Sequence, residues 1–203
     1  MSDLHHTIPL APPPSLVLHT AVDFVHKQGI GIGVVQRAPI GAARNNIIPI
    51  TKRKYSVKGS QFTSENVKTP KRAYMFAIIL AMGLARGTIK RRCTKTLKIR
   101  KVTVLCESSA VVELVNFHRD KAPESLDCVI STNDCAMIKR VLVGVRELSR
   151  RGVDVVIAED GLEIGSKETM RAETMARQKG RKACRSRCQA QHNAFIEAIT
   201  DVN

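Results

Sequence analysis

Residues 101–117, KVTVLCESSAVVELVNF, change period in mid-stretch. The first six are mostly apolar and β-branched, the pattern of a buried strand. From Ser108 onward Val111, Val112, Leu114 and Val115 fall at helical spacing, with Ser108 or Ser109 placed to cap the helix. A strand that turns straight into a helix predicts an α/β layer architecture. Between the two halves stands a carboxylate, Glu107. An ionised group at the inner end of a strand is costly unless chemistry uses it or water reaches it. It serves either a metal site or the dipole of the following helix.

The rest of the chain supplies neighbours for that strand. SLVLHT (15–20), GIGIGVVQR (29–37) and NIIPITKRKYSVK (46–58) read as three strands, with a turn at Ala38-Pro39-Ile40-Gly41 and an edge or bulge at Pro49. KTPKRAYMFAIILAMGLA (68–85) reads as a buried helix opening at Pro70. CAMIKRVLVGVRELSRRG (135–152) is amphipathic and closed by Gly152; VDVVIA (153–158) is a fifth strand, and residues 167–199 are again helix-prone. The order β-β-β-α-β-α-α-β-α predicts a mixed five-stranded sheet, an antiparallel meander followed by alternating strands and helices, with helices on both faces. Residues 1–14 hold four of the eight prolines and read as a flexible arm, residues 15–180 as the domain, and 181–203 as a basic helical extension.

Charge decides which partner such a domain would have. Lys and Arg number 33 against 18 Asp and Glu, a formal +15 in 203 residues. A polyanion is the expected partner, against the plainer reading of a solvated basic face. RGTIKRRCTKTLKIRK (86–101), read as the link from the first helix to the fourth strand, and RQKGRKACRSR (177–187) carry much of the charge. No aromatic residue interleaves with either, which argues against base stacking and for phosphate contacts by Arg91, Arg92, Lys95, Arg181, Lys182 and Arg185. GIGIG lacks the Lys-Ser/Thr sequel of a phosphate loop. Cys184, Cys188 and His192 recur every four residues, but three ligands on one helix suit tetrahedral zinc poorly, and a packed stripe is the simpler reading. The six cysteines form no secreted disulfide pattern, no apolar run approaches the ~20 residues of a membrane span, and the N-terminus lacks a signal peptide's basic region. The expectation is an intracellular protein, nuclear or cytoplasmic, with reduced thiols; nothing sets an oligomeric state.

Four segments together resemble type 1 ribonuclease H. LVLHTAV followed by GIGIGVV is similar to that family's first strand, which ends in Thr-Asp-Gly, and its glycine-rich second strand. KTPKRAYMFAIILA resembles its Thr-x-x-Arg-Ala-Glu helix, and KVTVLCESSAVVELV its strand–turn–helix with Thr-Asp-Ser. RGVDVVIA and RAETMAR resemble its fifth strand and closing Ala-Asp-x-Leu-Ala helix. The resemblance implies a domain that recognises RNA/DNA hybrid and, where active, cleaves the RNA strand with two Mg²⁺ or Mn²⁺ ions about 4 Å apart held by four carboxylates.

Carried over by position, the four places fall on Ala21, Tyr74, Glu107 and Glu173. Only the last two keep a carboxylate, so Glu107 and Glu173 are the candidate catalytic and metal residues. Asp23 and Asp160 are candidate substitutes. The family's histidine before the last helix has no counterpart; EDGLEIGSKE (159–168) stands there and offers Glu159 and Asp160. The resemblance therefore implies hybrid or duplex binding with hydrolysis weakened or lost. An active Mg-dependent hybrid endoribonuclease and a non-enzymatic protein-interaction module on the same fold are the alternatives.

Overall fold

The computed structural model describes residues 15–25, 29–37, 55–62, 69–92, 98–119, 132–161 and 166–200. Strands β1 (Ser15–Val25), β2 (Gly29–Arg37) and β3 (Tyr55–Phe62) form the expected meander. β1 pairs antiparallel with β2 from Leu18↔Gln36 to Val25↔Gly29, and β2 with β3 from Ile30↔Phe62 to Arg37↔Tyr55. β4 (Lys101–Cys106) lies parallel to β1, and β5 (Asp154–Glu159) parallel to β4. The order across the sheet is β3-β2-β1-β4-β5. Helix α1 (Pro70–Arg92) precedes β4, and α4 (Lys167–Thr200) follows β5. The parallel β4–β5 pair requires a crossover, which α2 (Ser109–Arg119) and α3 (Thr132–Ser149) provide.

Each helix begins and ends where local chemistry permits. Thr69 caps α1: its hydroxyl accepts the Arg72 amide at 3.3 Å and its carbonyl the Ala73 amide at 3.2 Å, with Pro70 at the first helical position. The Ser108 carbonyl accepts the Val111 and Val112 amides, which settles the choice between the two serines at the start of α2. Ser166 caps α4 by accepting the Thr169 amide at 3.1 Å. α3 ends at Ser149 and is closed by Gly152, whose φ of 72° lets the Gly152 and Val153 amides fold back onto the Ser149 and Leu148 carbonyls.

Alternation along β1 sorts the two layers. Leu16 and Leu18 point into the large core, with Ile30, Ile32, Val102, Val104, Val155 and Ile157 on the sheet and Met75, Ile78, Met82, Ile138 and Leu148 on α1 and α3. The other face carries Ala21 and Val35 against Ala172 and Ala176 of α4. That layer is thin because of the glycines in β2. A Cβ on Gly31 would lie 1.8 Å from the Ala176 carbonyl oxygen, and one on Gly33 would lie 2.0 Å from that of Ala172. The GIGIG stretch is the bed on which the α4 backbone rests.

Several boundaries differ from the sequence reading. β1 continues to Val25, and β3 runs to Phe62 rather than ending at 58; residues 46–54 lie outside the described residues, as do the 1–14 arm and the turn at 38–41. Residues 86–92 are not a linker: α1 extends through them, since Leu84, Ala85, Thr88 and Ile89 stay buried after Gly83. α1 is long and apolar enough by length and composition to cross a membrane, contrary to the expectation for this chain; 56% of its apolar stretch is buried within the protein. α4 runs unbroken across 180/181, with Gly180 and Ala183 both buried.

Two glycine substitutions should move stability in opposite directions. Gly31→Ala meets backbone atoms that cannot rotate away, and should cost about 3 kcal/mol or more. Gly83→Ala, with nothing within 4 Å of the new Cβ, should stabilise α1 by about 0.5–1 kcal/mol. Urea unfolding of both variants checks the pair.

Candidate functional site

Glu107 follows directly on the C-terminal end of β4, where its position is set by the Thr20↔Cys106 pairing and by the start of α2. Thr20 strengthens that junction by donating its hydroxyl to the Leu105 carbonyl at 2.9 Å. Glu107 is exposed. The Tyr74 hydroxyl, from the first turns of α1, donates to Glu107 Oε2 at 3.3 Å. Two positions picked from sequence, 33 residues apart, thus meet.

The electrostatics of this corner are those of crowded acids. Partial burial pushes the Glu107 carboxyl up; the Tyr74 hydrogen bond opposes this, while the charges of Glu173 and Asp160 add to it. Glu107 and Glu173 therefore lie on the same side of the molecule, close enough to repel. Burial first, and then the neighbouring Glu107, push the Tyr74 phenol up to about 12. It is a neutral hydrogen-bond donor throughout the physiological range. The Cys106 thiol is pushed up to about 11, chiefly by burial, which leaves it inert as a nucleophile.

The remaining acids have other surroundings. Ala21 is buried against Ala172 and Ala176 and offers no oxygen. Asp23, two residues on along the same face, lies against α4 at Gly180, where its Oδ2 is 2.5 Å from the place a Cβ would occupy. Asp160 is buried, and accepts the Thr169 hydroxyl at 3.1 Å. His19 Nδ1 sits 3.4 Å from the same Asp160 oxygen and 3.2 Å from the Thr169 hydroxyl, with the Ser166 hydroxyl 2.9 Å beyond. This polar knot ties β1, the end of β5 and the start of α4 together. Sequence reasoning missed His19, though strand alternation in LVLHTAV puts it on the same face as Ala21. Glu173 accepts from Arg177 at 3.4 Å, one turn along α4. Among the described residues, no three or more His, Cys, Asp or Glu side chains are arranged to hold a metal ion.

Among the described residues, the basic side chains picked from sequence do not gather into one patch. Arg91 is exposed near the end of α1 and donates its Nε–H to the Gly87 carbonyl at 3.1 Å. Arg181, Lys182 and Arg185 are exposed on α4, across the sheet from α1. Lys95 and the side chain of Arg92 lie outside the described residues. Cys184 is half-buried and Cys188 exposed, both as free thiols; the His192 side chain is outside the described residues.

Two titrations test this geometry. In a Tyr55→Phe variant, which leaves Tyr74 as the sole tyrosine, phenolate absorbance should rise with a midpoint near about 12 rather than the ordinary ~10. A carboxyl whose folded pKa is raised opposes folding once the pH exceeds its unfolded pKa, and costs nothing when both states are protonated. Glu107→Gln should therefore raise the unfolding midpoint at pH ~7 and leave it unchanged well below pH ~4, as calorimetry at the two pH values would show.

No protein-family model matches the chain, and no curated protein matches it in sequence. Solved structures do resemble it. The native protease–reverse transcriptase of prototype foamy virus matches with a TM-score of 0.53 and 15% identity, over 84% of this chain and 22% of that one. A foamy viral protease–reverse transcriptase in complex with an RNA/DNA hybrid matches at 0.51 and 13%, over 88% and 22%. One in complex with double-stranded DNA matches at 0.52 and 15%, over 82% of this chain and 93% of that one. The chain thus spans about a fifth of the length of the first of these. What it shares with them is the fold, a mixed five-stranded sheet with helices on both faces.

Proposed function

We propose that this protein binds nucleic acid through its ribonuclease H-like domain, with RNA/DNA hybrid as the favoured form, and that hybrid hydrolysis is weakened or lost. The observation that carries the second half is the Tyr74–Glu107 hydrogen bond. Where the resemblance implies a second carboxylate, a neutral phenol donates to the first. Paired-ion chemistry needs oxygen anions from several directions. Ala21 supplies none, Tyr74 supplies a proton, and Asp160 is engaged with Thr169 and His19 through Oδ2, which leaves only its Oδ1 without a hydrogen-bond partner. This donor set does not fit two ions. Glu107 and Glu173 would hold at most one hydrated Mg²⁺ or Mn²⁺, and weakly.

The binding half is supported by the +15 charge and by the fold shared with foamy viral enzymes that form complexes with RNA/DNA hybrid and double-stranded DNA. Exposed Arg91, Arg181, Lys182 and Arg185 are the candidate phosphate contacts, with Arg92 and Lys95 proposed from sequence alone. Neither alternative has an observation that favours it over this reading. The active-nuclease reading takes Asp23, which lies against Gly180 of α4, and Asp160 as its substitute ligands.

One set of measurements decides. Binding of a labelled RNA/DNA hybrid should weaken roughly a thousandfold between 50 and 200 mM salt if about six phosphates are contacted. With Mg²⁺ or Mn²⁺, hybrid cleavage should not exceed that of a Glu107→Ala/Glu173→Ala control. Binding indifferent to salt would leave only the protein-interaction reading; cleavage above the control would establish the nuclease.

A further inference from the structure

We propose that the groove between the C-terminal ends of α1 and α3 is a second phosphate site, which takes successive phosphates of a nucleic-acid backbone at the end of the molecule opposite Glu107. It rests on the nucleic-acid reading above and extends it to a surface formed only by the fold.

α1 and α3 run parallel. Arg72 donates to Asp134 at 2.7 Å near their N-terminal ends, and Arg86 pairs with Glu147 near their C-terminal ends. Both helix C-terminal ends therefore lie at one place, and between them is a groove of about 510 Å³ lined by Arg86, Gly87, Lys90, Glu147, Arg150 and Arg151. Exposed Arg100 and Lys101 reach the same end of the molecule, because the Asp154 amide after α3 donates to the Arg100 carbonyl. The groove lies roughly 20 Å along α1 from Tyr74, at 1.5 Å per residue.

Its charge exceeds what the helices need. Glu147 answers Arg86, while Lys90, Arg150 and Arg151 are exposed and, among the described residues, have no carboxylate partner. A helix C-terminus favours a cation in its last turn, but two helix ends do not account for three unanswered cations with two more beside them. Such a cluster repels itself unless an anion joins it.

Gly87 is the independent sign that the anion approaches closely. A Cβ there would meet nothing nearer than the Arg91 guanidinium at 3.7 Å, so packing does not demand glycine. In a helix interior glycine sacrifices stability relative to alanine. What it leaves is side-chain-free space in the groove lining beside the Arg91 guanidinium, which donates to the Gly87 carbonyl; close approach of a ligand is a usual reason for glycine. Gly83, one turn earlier, is equally open.

The test uses the full chain and a labelled RNA/DNA hybrid, comparing Lys90→Glu/Arg150→Glu/Arg151→Glu with Arg181→Glu/Lys182→Glu/Arg185→Glu. The groove variant should lose on the order of tenfold in affinity at 100 mM salt and flatten the log–log salt slope by about 2–3. Gly87→Leu should weaken binding without altering any charge, and Gly87→Ala should keep or raise the unfolding midpoint. Inorganic tripolyphosphate should compete with the hybrid for wild type more effectively than for the groove variant. Unchanged hybrid binding by the groove and Gly87→Leu variants, with loss in the α4 variant, would overturn the groove and leave the nucleic-acid reading standing. Unchanged binding by every variant would sink both. Equal loss of polyglutamate and hybrid binding would show a merely cationic face and also overturn the proposal.

Discussion

The contact between the α4 backbone and the glycines of β2 is the constraint on which the rest of this molecule depends. Gly31 and Gly33 let the Ala176 and Ala172 carbonyls descend onto the sheet, and Ala21 and Val35 complete the apolar part of that layer. At that separation α4 can track β1, with Thr169 level with His19, Ala172 with Ala21, and Gly180 with Asp23. Glu173 is carried to the corner near Glu107 by this seating and by nothing else in its own sequence. A thicker layer would lift α4 and separate the two acids.

The second organising feature is polarity along the strands. β4 and β5 are parallel, so Glu107 and Asp160 both emerge at one edge, whereas Arg100 and the residues after α3 gather at the other. The parallel pairing of α1 and α3 reinforces the division. Ion pairs near either end of that pair set its alignment more than its stability, since exposed pairs contribute little. Asp134 is the better-held of the two acids: burial raises its carboxyl, but Arg72 and Lys71 outweigh burial and hold it below the ordinary range. The outcome is a crowded acidic corner and a basic end on one domain.

Buried polar groups close the seams between layers. Thr88 of α1 donates to Gln36 of β2 at 2.7 Å, and Asn116 of α2 donates to the Ile157 carbonyl of edge strand β5 at 3.0 Å. With the His19–Asp160–Thr169 knot these fix α1, α2 and α4 to particular strands where apolar contact alone would permit sliding.

Much of this was legible in the residues themselves. Strand and helix periods named every element in order, Gly152 marked the end of α3, and Pro70 marked the start of α1, because those signals act within a few residues. Tyr74 and Glu107, picked by position along a resembled pattern, do meet in a hydrogen bond. Other features were not legible. The GIGIG spacing could be excluded as a phosphate loop but not recognised as a helix bed, since its meaning lies in an element some 140 residues later. The first part, 86–92, of the link assigned to 86–101 is helix because packing, not local propensity, holds its residues. The local sequence determined which segments are strands and helices and how much charge they carry. Only the tertiary structure decided which charges meet, because crossing sheet layers joins side chains that are far apart along the chain.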